Sequence, residues 1–162
     1  MSVPPSPASQ YPLIGTHDGS FHCDEALAIS MLTTLPEYSK SSVLRTRNPD
    51  HLAQCAVVVD VGAVYDPERH RYDHHQREFT GTFGESKRIK LSSAGLVFKH
   101  FGKRVIGQML EELKGVESSP ALVDVSHEKL YSSFIEHIDA IDNGVEVADG
   151  ELKYQVSTTV CR

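Results

Sequence analysis

AVVVDV, residues 56–61, constrains this chain more than any other stretch. Four valines in six positions leave no polar face. A strand without alternation has to be covered on both sides, which is the condition of a strand inside a parallel sheet. Parallel neighbours in turn need crossover connections, usually helical. The run therefore calls for a layered α/β fold, and 162 residues are enough for one such domain.

The rest of the chain supplies the layers. Residues 11–16 predict a first strand. Residues 24–35 predict a helix, because Leu27, Met31 and Leu35 repeat every four positions with Ala28 and Leu32 beside them. Pro36 helps to end it. Residues 42–47 predict a second strand, and Asn48-Pro49 offers a cap and first-turn pair for a short helix over 50–54. A further short strand is expected over 69–75. Residues 79–90, with Gly81, Gly84 and a basic cluster, predict a mobile loop. Ser92 or Ser93 can cap a helix over 94–100 with Leu96, Val97 and Phe101 inward; Gly102 is expected to break it and 105–113 to resume it. A loop at 115–120 precedes an amphipathic helix over 122–141, whose apolar stripe is Leu130, Phe134, Ile138 and Ile141. Asn143-Gly144 closes that helix, and 151–159 predict a final strand. Strand and helix alternate early and helix dominates later, an α/β plan with a mostly parallel sheet flanked by helices.

Four properties narrow the function classes. The formal net charge is −6, whereas proteins that coat nucleic acid nonspecifically are usually basic. A bound divalent metal offsets acidity locally, so a nucleic-acid enzyme stays open. No run approaches the ~20 apolar residues of a membrane span. Residues 1–11 hold three prolines and no Lys or Arg, which predicts a disordered leader rather than a signal or transit peptide. The three cysteines, Cys23, Cys55 and Cys161, are odd in number, widely spaced and outside any CxxC, which fits a reducing compartment.

Chemistry concentrates in four places: His17, His22 and Asp24; Asp60, closing the valine strand; Asp73-His74-His75; and Asp139 with Asp142, three apart on one helix. Singly, each has an ordinary explanation. Asp24 could cap its helix, Asp60 could start a turn, and the others could be solvated polar groups. Together they lie at or just after the carboxyl ends of expected strands, where parallel sheets bind ligands. Mixed His and Asp donors without a thiolate cluster suit Mn²⁺, Fe²⁺ or Zn²⁺, and an all-oxygen shell would suit Mg²⁺ or Ca²⁺. The set exceeds what one tetrahedral zinc takes. About seven ligands sharing an aspartate would hold two ions, the standard device for in-line attack on phosphorus. Cys23 is expected to be a small packed residue, and Glu25 a first-turn carboxylate of the kind helices favour.

These clusters, in this order, resemble the DHH phosphoesterase superfamily, whose name-giving motif matches Asp73-His74-His75. More narrowly, IGTHDGSFHCDEALA, VVVDVGAVYDPERHRYDHHQREF, KLSSAGLVFKHFG and IDAIDNG are similar to the melanocyte-proliferating-gene (Myg) exonuclease family and span residues 14–144. The resemblance implies a DHH-type catalytic domain over residues 12–162. His17, His22, Asp24, Asp60, His74 and Asp142 would be metal ligands, with Asp60 bridging and Asp139 the alternative to Asp142. His22 stands where an aspartate is usual, which favours Mn²⁺ over Mg²⁺; two Mn²⁺ are expected, with Mg²⁺ or Zn²⁺ as alternatives. His75 would face the substrate phosphate and Asp73 would orient a neighbour, so that Asp60, Asp73 and His75 form the catalytic group. Arg69, Arg71 and Arg77, with Lys87, Arg88 and Lys90, would line the backbone of RNA or a short oligonucleotide.

The implied activity is metal-dependent 3′-to-5′ exonucleolytic cleavage of RNA, not in a membrane; the family setting is nucleus and mitochondrion, and the lack of a basic leader ranks the mitochondrion below the nucleus or cytoplasm. Superfamily members continue into a second, substrate-binding domain. This sequence ends after an expected strand, so only the catalytic half is expected, with metal binding intact and processive degradation weak. Two other readings stand beside it: a phosphohydrolase of pyrophosphate or dinucleotides, and a non-catalytic module that keeps the metal site.

Overall fold

The computed structural model describes residues 11–114, 119–148 and 150. The expected leader up to residue 10, most of the loop at 115–120 and the expected strand over 151–159 lie outside them. Five strands, β1 (Leu13–Thr16), β2 (Ser42–Arg45), β3 (Val57–Val59), β4 (Tyr65–Asp66) and β5 (Arg71–Tyr72), form one sheet in the order β2-β1-β3-β5-β4. Every neighbouring pair is parallel except β4 and β5. The helices are α1 (Cys23–Thr34), α2 (Pro49–Leu52), α3 (Ser93–Lys114), α4 (Pro120–Leu130) and α5 (Glu136–Asp142). The protein is thus α/β with a mostly parallel sheet and flanking helices. No helix among the described residues is long and apolar enough to cross a membrane.

The valine run occupies the centre of the sheet and is buried on both faces. Val57 and Val59 join the main core with Leu32 of α1 and Leu96 and Val97 of α3. Val58, pointing the other way, joins Leu52, Cys55 and Val61 in a smaller core beneath α2. The strand expected over 69–75 is shorter. His70 takes a left-handed φ of 53° after a 3₁₀ turn at Pro67–Arg69, so the extended backbone begins only at Arg71.

Three other expectations are corrected. Gly102 does not break α3, which runs unbroken from Ser93 to Lys114. A Cβ at Gly102 would lie 2.9 Å from the rings of both His127 and Phe98. The glycine accepts its helix penalty of about 1 kcal/mol because α4 packs closely there. The stripe Leu130, Phe134, Ile138, Ile141 is not the buried face. Leu130, Phe134 and Ile141 are 42%, 41% and 38% exposed, and the inward residues are His127, Tyr131, Ile135 and Ile138. A wide π turn at Tyr131–Ile135 joins α4 to α5 and shifts the register that a uniform 3.6-residue period assumes. Residues 79–90 are anchored rather than loose. Phe83 lies flat on Tyr131 at 3.7 Å, Phe79 meets Tyr65 edge-on, and Leu91 N–H donates to the Gly81 carbonyl. Lys87 Nζ is 2.9 Å from Glu136 Oε2.

Candidate metal centre

The carboxyl edge of the sheet gathers the polar clusters. His17 follows β1, Asp60 follows β3, Asp73-His74-His75 follow β5, and α5 ends at Asp142. Asp60 holds a left-handed φ of 57°, and Gly62 and Ala63 follow with φ of 96° and 52°. Such backbone persists only where its surroundings fix it. Asp73 supplies part of that constraint: its Oδ2 accepts the Ala63 N–H at 2.6 Å. Its Oδ1 accepts from the His75 N–H at 3.1 Å and lies 2.7 Å from His75 Nδ1. Ser93 Oγ lies 3.3 Å from Asp60 Oδ1 and 3.0 Å from the Tyr72 carbonyl, and its single proton serves one of them at a time.

Around Asp60 the donors converge. His17 Nε2 is 3.3 Å from Asp60 Oδ2 and 3.2 Å from Glu25 Oε1. His74 Nε2 is 3.1 Å from Asp142 Oδ2 and 3.5 Å from Asp60 Oδ1. His75 Nδ1 is also 3.5 Å from Asp60 Oδ1. Three overlapping groups can each bring their ligand atoms within 4.8 Å of one another: His17, His22, Glu25 and Asp60; Asp60, His74 and His75; and His22, Asp24 and Asp142. The first two share Asp60, and the first and third share His22. Among the described residues no cysteine joins any of them; Cys23, half-buried, packs against the main core.

The electrostatics of this edge suit a cation. Asp24, Glu25, Asp60 and Asp73 are buried, yet among the described residues no Lys or Arg ion pair reaches any of them or Asp142. Burial, reinforced by the charges of Asp60 and Asp142, pushes Asp24 up to about 8. For His74, burial acts downward, but the nearby Asp142 and Asp60 carboxylates outweigh it and carry the imidazole up to about 10. Burial acts upward on Asp142, and His74 holds it below the usual carboxylate range. His17 Nε2, Asp24 Oδ1 and both ring nitrogens of His74 are buried without a hydrogen bond. The short distances from His17 Nε2 and His74 Nε2 to carboxylates are therefore close approaches without hydrogen-bond alignment. Buried nitrogens and carboxylates within reach of one another, without a Lys or Arg partner among the described residues, fit a divalent cation.

The structure brings His17, His22, Asp24, Asp60, His74, His75 and Asp142 together, with Asp73 behind His75. It does not bring Asp139 to them. Asp139 accepts the Ser92 N–H at 2.9 Å, the Ser92 hydroxyl at 2.7 Å, the Gly95 N–H at 3.1 Å and the Tyr131 hydroxyl at 3.0 Å, so it caps α3. Arg71 turns to the Leu52 and Cys55 carbonyls at the amino end of β3. Arg69 is exposed beside Asp66. Arg77 is exposed two residues beyond His75, and Arg88 is exposed on the 79–90 segment. Lys87 is held by Glu136 and Ser132, and the Lys90 carbonyl accepts from Asn143. Two residues enter that the motif reading left out. Glu25 is more than a first-turn carboxylate: it accepts the His22 N–H at 2.8 Å and faces His17. Its signal was the spacing of a capping box, three residues after the cap. Ser93, expected only as a cap, lies against Asp60.

Comparison with known proteins identifies the family. The family model described as an uncharacterised protein family (UPF0160), MYG1_exonuc, matches residues 13–162. The chain is 48% identical to human MYG1 exonuclease over 98% of its own length and 44% of the relative's. It is 49% identical to mouse MYG1 exonuclease, covering 92% of the chain and 40% of the relative, and 48% identical to the Caenorhabditis elegans MYG1 protein C27H6.8, covering 90% and 43%. The chain thus spans less than half the length of these relatives. No solved structure matches it. This chain belongs to the MYG1 exonuclease family.

Proposed function

We propose that this member of the MYG1 exonuclease family is the metal-binding, phosphodiester-cleaving part of a 3′-to-5′ exoribonuclease that works with two divalent ions, Mn²⁺ ahead of Mg²⁺ or Zn²⁺. The carrying observation is the set of buried carboxylates with no Lys or Arg partner among the described residues, interleaved with buried histidine nitrogens that lack hydrogen bonds. Three overlapping ligand groups exceed one tetrahedral ion, and Asp60 is shared by two of them. When bound, a pair of such ions supplies an acidified water and stabilises charge on the phosphoryl oxygens.

The chain's own residues do the rest. Asp60 would bridge, with His17, His22 and Glu25 on one side and His74 on the other; Asp24 and Asp142 complete the set. Asp73 fixes His75 through Nδ1 and leaves the other ring nitrogen of this 60% exposed side chain for a phosphate oxygen. The acidic chain would act on RNA because bound metal reverses the local charge. The setting this reading gives is the nucleus or mitochondrion.

The test is Mn²⁺ titration calorimetry on the chain and on Asp60→Asn, together with degradation of an RNA blocked at either end. Two ions bound, loss of binding in Asp60→Asn, and shortening only from a free 3′ end are expected. One ion or none, indifferent to Asp60, would sink the two-metal reading. A second reading, cleavage of pyrophosphate or dinucleotides, is favoured by the engagement of Arg71 and Lys87 away from the centre, which leaves fewer cations to track a polymer. Faster turnover of a dinucleotide than of a longer RNA would select it. One tightly held ion without turnover on any substrate would select a non-catalytic module.

A further inference from the structure

Phe21, next in sequence to His22 of the candidate metal centre, is a residue that core packing does not explain. It is a large apolar side chain, 66% exposed, one position before His22, whose ring lies 5.3 Å from that of His17. An exposed phenylalanine is ordinary in itself. This one is held in place: the Arg45 guanidinium lies over its ring at 3.8 Å from the centroid. Arg45 is itself fixed, because its Nε donates to the His17 carbonyl at 3.2 Å and its Nη2 to the Gly19 carbonyl. Arg47 ties the same loop from outside through Asp18 at 3.1 Å.

A guanidinium against one face of an aromatic ring restrains the ring and leaves the opposite face to solvent. Residues 17–22 therefore carry two kinds of group on one short loop: His17 and His22, which fall in one candidate ligand group, and the restrained, largely exposed ring of Phe21 next to His22. Flat aromatic ligands bind such faces, and nucleobases do so without regard to sequence because every base has a π-face. We infer that Phe21, backed by Arg45, is a stacking platform for the nucleobase of the nucleotide whose phosphate sits at the metal centre. This rests on the two-metal phosphodiesterase reading and adds a substrate-positioning residue to it. The rigid mount matters because the platform shares its loop with two ligands: base stacking would set the distance between the sugar and the ions.

The experiment uses the Mn²⁺-loaded chain and a short RNA with phosphorothioate linkages, carrying 2-aminopurine at its 3′-terminal nucleotide. Stacking quenches the fluorescence of this base. Binding to the wild type with quenching is expected. Phe21→Ala should weaken binding about tenfold or more and abolish the quench, in line with the loss of one base–aromatic stack. Phe21→Tyr should keep both. An otherwise identical RNA that is abasic at the terminal nucleotide should bind wild type and Phe21→Ala alike. Mn²⁺ stoichiometry in Phe21→Ala should match the wild type. Equal affinity and quenching in wild type and Phe21→Ala would overturn the platform and leave the metal reading standing. Loss of Mn²⁺ uptake in Phe21→Ala would also overturn it, because Phe21 would then serve the loop rather than the base. A wild-type chain that takes up neither Mn²⁺ nor RNA would bring down the underlying reading and this inference with it.

Discussion

The Asp139 carboxylate occupies the space that a side chain on Gly95 would fill, and it accepts the Gly95 N–H at 3.1 Å. It also accepts both polar hydrogens of Ser92, so one carboxylate from α5 closes the first turn of α3. Gly95→Ala forces a Cβ into that carboxylate, which either leaves or drags α5 with it. Both outcomes strand buried polar groups, at about 1–3 kcal/mol each. Gly95→Ala is expected to lose roughly 2–4 kcal/mol in urea unfolding with an unchanged m-value. Gly84→Ala, where a Cβ meets nothing within 4 Å, should stay within about 0.5 kcal/mol of wild type. Equal effects at the two glycines would remove the steric argument.

Asp139 also predicts a pH dependence. Burial raises its carboxyl to about 6, against the hydrogen bonds from Ser92, Tyr131 and Gly95 that pull it down. A raised folded-state value means that the native state keeps the proton when the unfolded chain has released it. The associated stability is present below about pH 4 and lost as pH rises toward 6, an effect of order 3 kcal/mol at most. Asp139→Asn, a neutral isostere, should flatten this part of the stability profile in metal-free protein. A slope between pH 4 and 6 that is unchanged in Asp139→Asn would show that the carboxyl titrates normally.

Metal uptake should release protons. In the metal-free protein at pH 7, Asp24, raised to about 8, and His74, raised to about 10, both hold a proton that a cation must displace. Calorimetry in buffers of differing ionisation enthalpy is expected to give a release of one to two protons per chain. Mn²⁺ affinity should tighten as pH rises through 8. At about a hundredfold excess over Kd, Mn²⁺ should raise Tm by roughly 5–10 °C, and chelation should reverse it. Uptake without proton release would mean that the ligands are other groups.

The two kinds of information in this chain were unequally readable. The central strand was legible because an apolar run without alternation has one physical meaning, and Val57–Val59 indeed face two cores. The gathering of His17, Asp60 and His74 followed from where strands end. Asp139 and Asp142 were harder to separate: three residues apart, they share a helix face by periodicity, yet one caps α3 and the other meets His74. Which one does which depends on the approach of α3, and helical spacing carries no record of that. The buried face of α4 was hidden by the π turn, whose extra residue no apolar pattern marks. Glu25 was hidden by its very ordinariness, since a glutamate in a first helical turn needs no further reason.

Arg71 separates structure from substrate binding. Its guanidinium donates to the Cys55 carbonyl at 3.1 Å and approaches the Leu52 carbonyl at 3.4 Å, tying β5 to the chain end that leads from α2 into β3. These bonds sit at the amino end of β3, and Asp60 lies at its carboxyl end. Hydrogen bonds from a charged group contribute about 1.5–3 kcal/mol each when intact. Arg71→Ala is therefore expected to destabilise the fold by roughly 1–3 kcal/mol, read as a lower urea midpoint. At a temperature where both proteins are folded, it should leave RNA affinity and its salt dependence unchanged. A cation on the RNA backbone behaves in the opposite way: its removal weakens binding uniformly and lowers the salt slope by about one. Arg77, exposed just beyond His75, is the residue for which that second pattern is expected. If Arg71→Ala lowers the salt slope and Arg77→Ala does not, the two arginines have been assigned the wrong way round.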